Sequence, residues 1–366
     1  MKIQKFATFF VLSAAALTQS LEAGVEEAQL RNLENRLSSL EQKRCSGMIN
    51  PAARPTVDDG LDVSISGSFL YWKVQEDGIA YALKNHNANQ SAVAIIEGKM
   101  KNIQSDYHPG SRLGIGLNLP HDGWDLGLTW TRFFNHEHNS SYAVVGGSNL
   151  YPTLVHPSTS TPSGNLSHAE ATRRLHLNMA DFSLGREFFV SKYLTLRPHA
   201  GLKSAWIRKK LDANYSYTDG NSLAQVAPQF QSKFWGIGLG TGLDAFWSLG
   251  NSLSLYTQGH IGMLRGHFDL NQKQKQIAGS SVSVDTNVRN HINTTKPVSR
   301  LAAGLAWENR FNDDNAFLRL QAGWEQQSFV GQNQYMKFVT NPEYIHVANQ
   351  GDLSFEGWTL SIQLDF

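Results

Sequence analysis

The sequence is poor in cysteine, in proline and in charge of either sign. One cysteine among 366 residues excludes an internal disulfide. The 32 basic and 31 acidic residues nearly cancel, so the basic excess of a nucleic-acid-binding surface is absent. Only 11 prolines occur beside 31 glycines. A mean hydropathy of −0.34 together with an aromatic content of 11% argues against a disordered chain. This composition suits either two ordinary domains or one large all-β unit.

A hydrophobic run long enough to cross a bilayer as a helix is also missing. The N-terminal apolar run, residues 6–17, falls well short of the roughly 20 residues that a helical span requires. Lys2 and Lys5 precede this run, and the small-residue site Leu21-Glu22-Ala23 follows it. This order predicts a signal peptide over residues 1–23, cleaved near Ala23, and hence an exported protein. A membrane-anchoring helix is the alternative interpretation.

A short heptad pattern occupies residues 24–45. Apolar residues recur there at helical spacing among charged ones: Leu30, Leu33, Leu37 and Leu40. The pattern predicts a short coiled-coil-like helix on the periplasmic side. Such a short helix either forms a homo-oligomer through these leucines and Cys45 or serves as a solvated spacer. Cys45 itself either cross-links two chains in an oxidising compartment or is an inert thiol, and residues 46–60 have the composition of a linker.

From residue 61 to residue 366, apolar and polar residues alternate with a period of two. The pattern is clearest at the C-terminus, where small or polar residues separate Trp358, Leu360, Ile362, Leu364 and Phe366. Such alternation is typical of β-strands with one apolar face.

The parity of the alternation shifts near Asp181. The apolar residues are Leu177 and Met179 before it, but Phe182 and Leu184 after it. This shift predicts a β-bulge at that point.

The connections between the expected strands have two lengths that alternate strictly. Short polar turns are expected at residues 120–123, 190–193, 248–251 and 312–315. Long irregular connections are expected over residues 74–106, 136–173, 210–230, 269–297 and 331–354. Four short turns and five long loops predict an all-β fold, an antiparallel up-and-down transmembrane β-barrel of ten strands over residues 61–366. A further pair of short strands within residues 74–106 would raise the count to twelve.

Aromatic residues at both ends of the strands favour a membrane barrel over a soluble β-sandwich, the alternative that alternation alone permits. The set near the short turns is Trp124, Tyr193, Trp247, Phe311, Phe317 and Phe366. The set toward the long loops is Trp206, Trp235, Phe268, Phe329 and Trp358. The expected partners are outer-membrane lipid and the barrel-assembly machinery, which would recognise the C-terminal strand ending at Phe366.

Residues of the opposite parity are expected to face the lumen. The charged candidates for lining a pore are Arg112, Asp125, Arg197, His199, Lys203, Asp244, Arg300, Glu308, Arg319 and Glu325. Fixed charges of both signs can hold water and sort ions. Ten strands enclose little more than their own side chains, so a salt-bridged, filled barrel is the alternative. The glycines at 236, 238, 240 and 242 complete no nucleotide-binding motif and indicate close inner packing or lumen space.

Signatures of catalysis and of metal binding are weak. Neither G-x-S-x-G nor H-E-x-x-H occurs, and His136-Glu137-His138 lacks an identifiable third ligand and is better explained as a solvated loop. No catalytic residue, metal site or cofactor is therefore expected. A barrel protease or lipase with a dispersed catalytic pair is the alternative, with His156, His168, His291 or His346 as candidates.

Four segments carry a resemblance to a known family. They read FLYWK at 69–73 with EDG at 76–78, LPHDGWD at 119–125, LGREFFVSKYLTLRPH at 184–199, and WEQQ at 324–327 with QNQ at 332–334. The third is the most specific. Over roughly residues 60–366 the chain resembles the Legionella-type major outer membrane proteins, whose relatives in chlamydia-like bacteria are called MOMP-like porins.

The resemblance implies a pore-forming outer-membrane protein and supplies no catalytic residues to transfer. The expected function is that of a porin for small hydrophilic solutes or ions, with its constriction near Arg197, Arg319 and Glu308. The alternative is a structural or adhesive surface protein that acts through its long loops and conducts little or nothing.

Overall fold

The computed structural model describes residues 36, 53, 62–85, 98–119, 122–143, 149–156, 166–219, 222–278, 281–311, 316–341, 343–348 and 351–366. The predicted signal peptide, the predicted heptad helix except Arg36, and the predicted linker except Ala53 lie outside these residues. No helix in this part of the chain is long and apolar enough to cross a membrane.

The described chain is almost entirely β-strand. Ten long strands are β1 (Val63–Glu76), β4 (Tyr107–Asn118), β5 (Trp124–Tyr142), β7 (Leu166–Arg186), β9 (Leu194–Asp219), β10 (Ser222–Gly250), β11 (Leu253–Ala278), β12 (Ser281–Phe311), β13 (Ala316–Asn333) and β16 (Gly351–Asp365). Six short strands are β2 (Ala82–Asn85), β3 (Gly98–Lys101), β6 (Asn149–Pro152), β8 (Phe188–Phe189), β14 (Met336–Asn341) and β15 (Glu343–Ala348).

The ten long strands form one closed antiparallel barrel. Each pairs with its neighbours along the chain, the pairing of β7 with β9 continues the ring, and β1 pairs with β16 to close it. The predicted all-β barrel of ten strands is therefore confirmed. The expected extra pair within residues 74–106 exists as β2 and β3, but these strands pair with each other and with β6 outside the ring, so the barrel does not reach twelve strands.

Several of the expected long connections are wrong, because they are largely strand. β9 continues to Asp219 and β10 begins at Ser222, so most of residues 210–230 belongs to a hairpin. β11 and β12 likewise occupy most of residues 269–297. The barrel wall thus extends far beyond the length that a bilayer requires, and its longest strand has 31 residues.

An inversion of the apolar face explains this error. In the half of the barrel near the short turns, the large apolar side chains point outward, and Leu239 and Ile261 are 71% and 64% exposed. In the half near the long loops they point inward, and Ile207, Leu211 and Tyr215 are buried. The half near the long loops therefore has polar residues on its outer face. It lacks the outward apolar residues that predict a membrane-crossing strand, so the sequence pattern predicts loops there.

The same inversion, and not a β-bulge, explains the shift of parity near Asp181. The register of β7 with both β5 and β9 runs through Asp181 without a shift. Leu177 and Met179 are buried inside the barrel, whereas Phe182 and Leu184 are exposed on its outer wall. The change of parity marks a change of apolar face along a regular strand, so the bulge prediction is wrong.

The inward apolar side chains form a continuous cluster, here called the apolar layer. Its buried members are Leu70, Trp72, Val74, Phe133, Leu175, Leu177, Met179, Ala205, Ile207, Phe234, Leu264, Phe268, Leu270, Val298, Phe329, Met336, Leu353 and Phe355. The rings of Phe133 and Phe355 lie 5.6 Å apart, and both pack on Trp72. Gln327 of β13 reaches Met179 of β7 at 3.0 Å, although these strands are not neighbours. The layer therefore fills the cross-section of the lumen.

Most of the aromatic residues predicted at the two ends of the strands, here called the aromatic belts, are exposed on the outer wall. Tyr193, Trp247 and Phe366 near the short turns are 55%, 57% and 42% exposed, with Trp124 and Phe311 also exposed. Toward the long loops, Trp235 and Trp358 are exposed and Trp206 is half-buried. Three further predictions are wrong, because Phe268, Phe329 and Phe317 have inward parity and are buried in the barrel.

The four alternate glycines of β10 face the inside, where space is scarce. A side chain at Gly238 would collide with the backbone oxygen of Met263 on β11. At Gly240 and Gly242 it would meet the imidazole rings of His260 and His199. Close inner packing is therefore what these glycines permit.

We expect Gly238→Ala to destabilise the barrel by about 1–3 kcal/mol, because the neighbouring backbone has to move. Gly259→Ala is the matched control, since Gly259 lies on the outer wall opposite Leu243 and Leu301, and its nearest neighbour, Leu301, would lie 3.8 Å from the new carbon. Urea unfolding of both variants in detergent micelles measures the difference. An equal loss of stability in the two variants would contradict this packing.

Candidate functional site

A polar cavity of about 300 Å³ occupies the half of the lumen near the short turns, and it is here called the lumen cavity. Of the ten candidate pore-lining residues, nine line it: Arg112, Asp125, Arg197, His199, Lys203, Asp244, Arg300, Arg319 and Glu325. The tenth, Glu308, accepts a hydrogen bond from Arg319 Nε at 2.8 Å. The regular alternation of the strands thus brings all ten into one connected region.

Small residues on the facing strands keep the cavity open. On β1 the inward residues are Ser64, Ser66 and Ser68, and on β4 they include Gly114 and Gly116. Large charged side chains from β9, β12 and β13 extend into the space that these leave. The cavity ends where the inward residues become apolar, at Leu70 of β1 for example.

Glu325 is the centre of the upper charge cluster. Its carboxylate is buried and accepts hydrogen bonds from Arg112 Nη2 at 2.7 Å and from Arg300 Nε at 2.8 Å. Thr359 adds a hydroxyl donor at 3.3 Å. Two guanidinium groups therefore share one carboxylate, which leaves a net positive charge directly below the apolar layer.

Arg197 is the centre of a second cluster closer to the short turns. Its guanidinium lies between two carboxylates, with Nε 3.0 Å from Asp125 Oδ2 and Nη1 3.0 Å from Asp244 Oδ2. His199 Nε2 lies 3.7 Å from the other oxygen of Asp244, and its ring stacks on His260 with centroids 5.8 Å apart. Two carboxylates share one guanidinium here, the reverse of the arrangement at Glu325.

Arg319 is held between two aromatic rings close to the short turns. Its guanidinium carbon lies 4.5 Å from the centre of the Phe246 ring and 5.3 Å from that of Phe317. Cation–π contacts of this kind fix the orientation of an arginine. Glu187 and Asp365 also line this end of the cavity.

Sequence reasoning missed Asp181, which lines the cavity and forms an ion pair with Lys203 at 2.6 Å. The sequence analysis predicts a bulge near Asp181, and at a bulge the alternation does not say whether a side chain points inward or outward. The inward parity of Ser183 and Gly185 on the same strand is the signal that identifies it.

The charged side chains of the cavity therefore pair across strands. Buried charges are costly unless they are paired, and each of these arginines has a carboxylate within hydrogen-bond distance. A polar cavity of this kind has room for water or small ions between fixed charges of both signs.

The predicted His136-Glu137-His138 segment lies in strand β5 and not in a loop. Its side chains alternate, so that both histidines are exposed on the outer wall while Glu137 is buried inside, where it binds Ser105, His108 and Asn135. The three groups do not converge on one point. Among the described residues, no group of three histidine, cysteine, aspartate or glutamate side chains could hold a metal ion.

Comparison with solved structures finds other barrels at low identity. The outer membrane protease OmpT from Escherichia coli is 10% identical, with 86% of this chain and 99% of that chain covered and a TM-score of 0.43. The toluene transporter TodX of P. putida is 12% identical, with coverage of 87% and 93% and a TM-score of 0.33. A Pseudomonas aeruginosa FadL homologue is 8% identical, with coverage of 87% and 92% and a TM-score of 0.28. Likenesses of this size carry no argument about activity.

No curated protein matches the chain. A family model does, and it is described as the Legionella pneumophila major outer membrane protein precursor. It matches residues 53–366, a range that contains all sixteen strands of the barrel and its hairpins. Closed antiparallel barrels with an apolar outer wall are the form in which β-strands cross an outer membrane. By this match and this architecture, the chain belongs to the Legionella major outer membrane protein family.

Proposed function

We propose that this protein is an outer-membrane porin, whose polar lumen gives passage to small hydrophilic solutes or ions. In outer-membrane barrels the short turns face the periplasm and the long loops face the outside, so we place the short turns on the periplasmic side and the long hairpins on the extracellular side. The observation that carries the proposal is the lumen cavity, with its ten connected candidate residues. Asp125, Arg197, Asp244, Arg300 and Glu325 would sort ions within it.

The contrast between the two halves of the barrel supports a role for this cavity. In the extracellular half, the chain fills its interior with apolar side chains such as Phe133 and Phe355. In the periplasmic half, the same strands turn charged groups into a space of about 300 Å³. Well-packed apolar residues would stabilise a barrel as well as buried ion pairs do, or better. Stability alone therefore does not account for the polar half.

The apolar layer closes the lumen in the described conformation. Above it, the segment 331–336 folds into the barrel, and Lys209 Nζ binds both Glu76 Oε1 at 2.7 Å and the Gln332 carbonyl at 3.3 Å. Apolar constrictions block ions because water does not enter them. Passage accordingly requires a second conformation in which this layer is displaced, so under this proposal the described conformation corresponds to the closed state.

The apolar layer also favours a second candidate function, that of a structural or adhesive surface protein. A lumen sealed by buried side chains from nearly every strand is what a barrel needs if it serves only as a rigid base. The extracellular hairpins, among them β9 with β10 and β11 with β12, would then carry the activity. Conductance separates the two candidates.

We expect the purified protein, refolded and inserted into planar bilayers, to give stable current steps that become more frequent in the Phe133→Ser/Phe355→Ser variant. Both side chains are buried in the apolar layer, and hydroxyl groups there would let water enter. Phe134→Ser is the matched control, because Phe134 is 46% exposed on the outer wall. A silent native protein beside a conducting double variant would contradict the porin and support the sealed surface protein.

We expect Arg319→Gln to shift the reversal potential in a KCl gradient toward cation selectivity. The substitution leaves Glu308 and the nearby Glu187 and Asp365 without their shared cation. Arg319→Lys keeps the charge and should change selectivity little, while Glu308→Gln should shift it the opposite way. Loss of one partner of this partly buried pair also lowers stability, so heat-modified migration on gels is needed to show that each variant is folded. Unchanged reversal potentials in folded variants would show that Arg319 does not lie on the ion pathway.

A further inference from the structure

The outer wall carries a group of cations just beyond the extracellular aromatic belt. Arg208 and Lys233 follow the belt residues Trp206 and Trp235 by two positions toward the extracellular end, so they share the same outward face. Both are exposed. They therefore lie at the height where a bilayer wall passes into its headgroup region.

Cations face each other across two adjacent strand pairs in this region. Arg208 of β9 is directly opposite Lys233 of β10, and Arg174 of β7 is directly opposite Lys210 of β9. Arg132 of β5 lies on the same wall, opposite Asn178 of β7. These five residues, Arg132, Arg174, Arg208, Lys210 and Lys233, are here called the outer-wall cation patch.

Direct opposition of like charges destabilises a β-sheet. One carboxylate relieves the patch at its upper edge, where Asp212 lies 2.9 Å from Lys210. Asp269 of β11 is opposite Lys233 in the register, but its own partner is His291 at 3.6 Å. Within the described chain, no carboxylate forms an ion pair with Arg132, Arg174, Arg208 or Lys233.

The lumen of the same barrel shows the opposite arrangement. Each arginine that lines the cavity, such as Arg112 or Arg197, is joined to a carboxylate from another strand. Of the patch residues, only Lys210 has a carboxylate partner within the described chain, whereas the cations in the lumen are paired. An anionic ligand that binds at this wall could supply the negative charge that the described chain does not.

We infer that the outer-wall cation patch binds the phosphate groups of lipopolysaccharide, the phosphorylated glycolipid of the outer leaflet. Arginine forms paired hydrogen bonds with phosphate oxygens, and basic clusters beside a membrane attract anionic headgroups. Directly below the patch, Leu202 and Ile237 are 47% and 44% exposed and offer an apolar wall to the acyl chains. One ligand therefore meets both surfaces, its phosphates at the patch and its chains below it.

Binding of diphosphoryl lipid A to the refolded full chain in dodecyl maltoside micelles tests this inference. We expect Arg208→Gln/Lys233→Gln to bind about tenfold more weakly than the native protein, because two charge-assisted contacts are lost. Lys273→Gln/Arg289→Gln is the matched control. It removes the same charge from the outer wall of β11 and β12, farther from the belt, and should leave the affinity unchanged. Dephosphorylated lipid A should bind both double variants and the native protein equally weakly.

In the absence of lipid, Arg208→Gln/Lys233→Gln should be at least as stable as the native protein. The two substitutions remove the repulsion between cations that face each other across neighbouring strands. A melting temperature that lipid A raises in the native protein, but not in the patch variant, would support a phosphate site. Equal loss of affinity in the two double variants would overturn the inference in favour of general charge attraction. Equal binding of phosphatidylglycerol and lipid A by the native protein would overturn the assignment to lipopolysaccharide.

Discussion

The structure depends on where the apolar side of the barrel wall changes from outside to inside. In the half that meets lipid, burial of apolar surface requires outward residues such as Leu239 and Ile261. Beyond the lipid there is nothing apolar outside, so the same strands can bury apolar area only by turning it into the lumen. β7 makes this change between Met179 and Phe182 without any break in its register. The change of side accounts for the long strands, since the upper hairpins are stabilised by a core of their own.

The polar interior of the half near the short turns follows from the same constraint. With lipid outside, inward positions become the only ones available to charged residues, and the small volume of ten strands forces these residues to pair. Glu325 with two arginines and Arg197 with two aspartates are neighbouring, oppositely unbalanced clusters. A solute in this cavity would meet one excess of each sign along its path. Under the proposed function, this alternation of charge would act as a filter and not as a uniformly charged lining.

The apolar layer and the lumen cavity are therefore different layers of one lumen, and the proposed conduction needs both. The lumen cavity has the chemistry of a water-filled passage, whereas the apolar layer above it has the packing of a protein core. The outer wall repeats this division, with lipid-facing residues below and the outer-wall cation patch above. Each surface takes the chemistry of its surroundings at that height, whether bilayer, headgroup region or aqueous phase.

Residue order alone predicts the all-β class and the ten strands of the ring, because the alternation of Trp358, Leu360 and Ile362 and the short turns can be read directly from it, but it does not predict all of the six short strands. It also determined the ten inward charged residues, since parity extends along a regular strand. Alternation does not say which face is inside in the half near the long loops, so it wrongly predicts Phe268 and Phe329 on the outer wall and a loop over residues 210–230. The apolar layer inside the lumen and the position of Arg208 opposite Lys233 cannot be read from residue order and appear only in the folded barrel. Both depend on register between strands, which long-range pairing sets and local sequence does not.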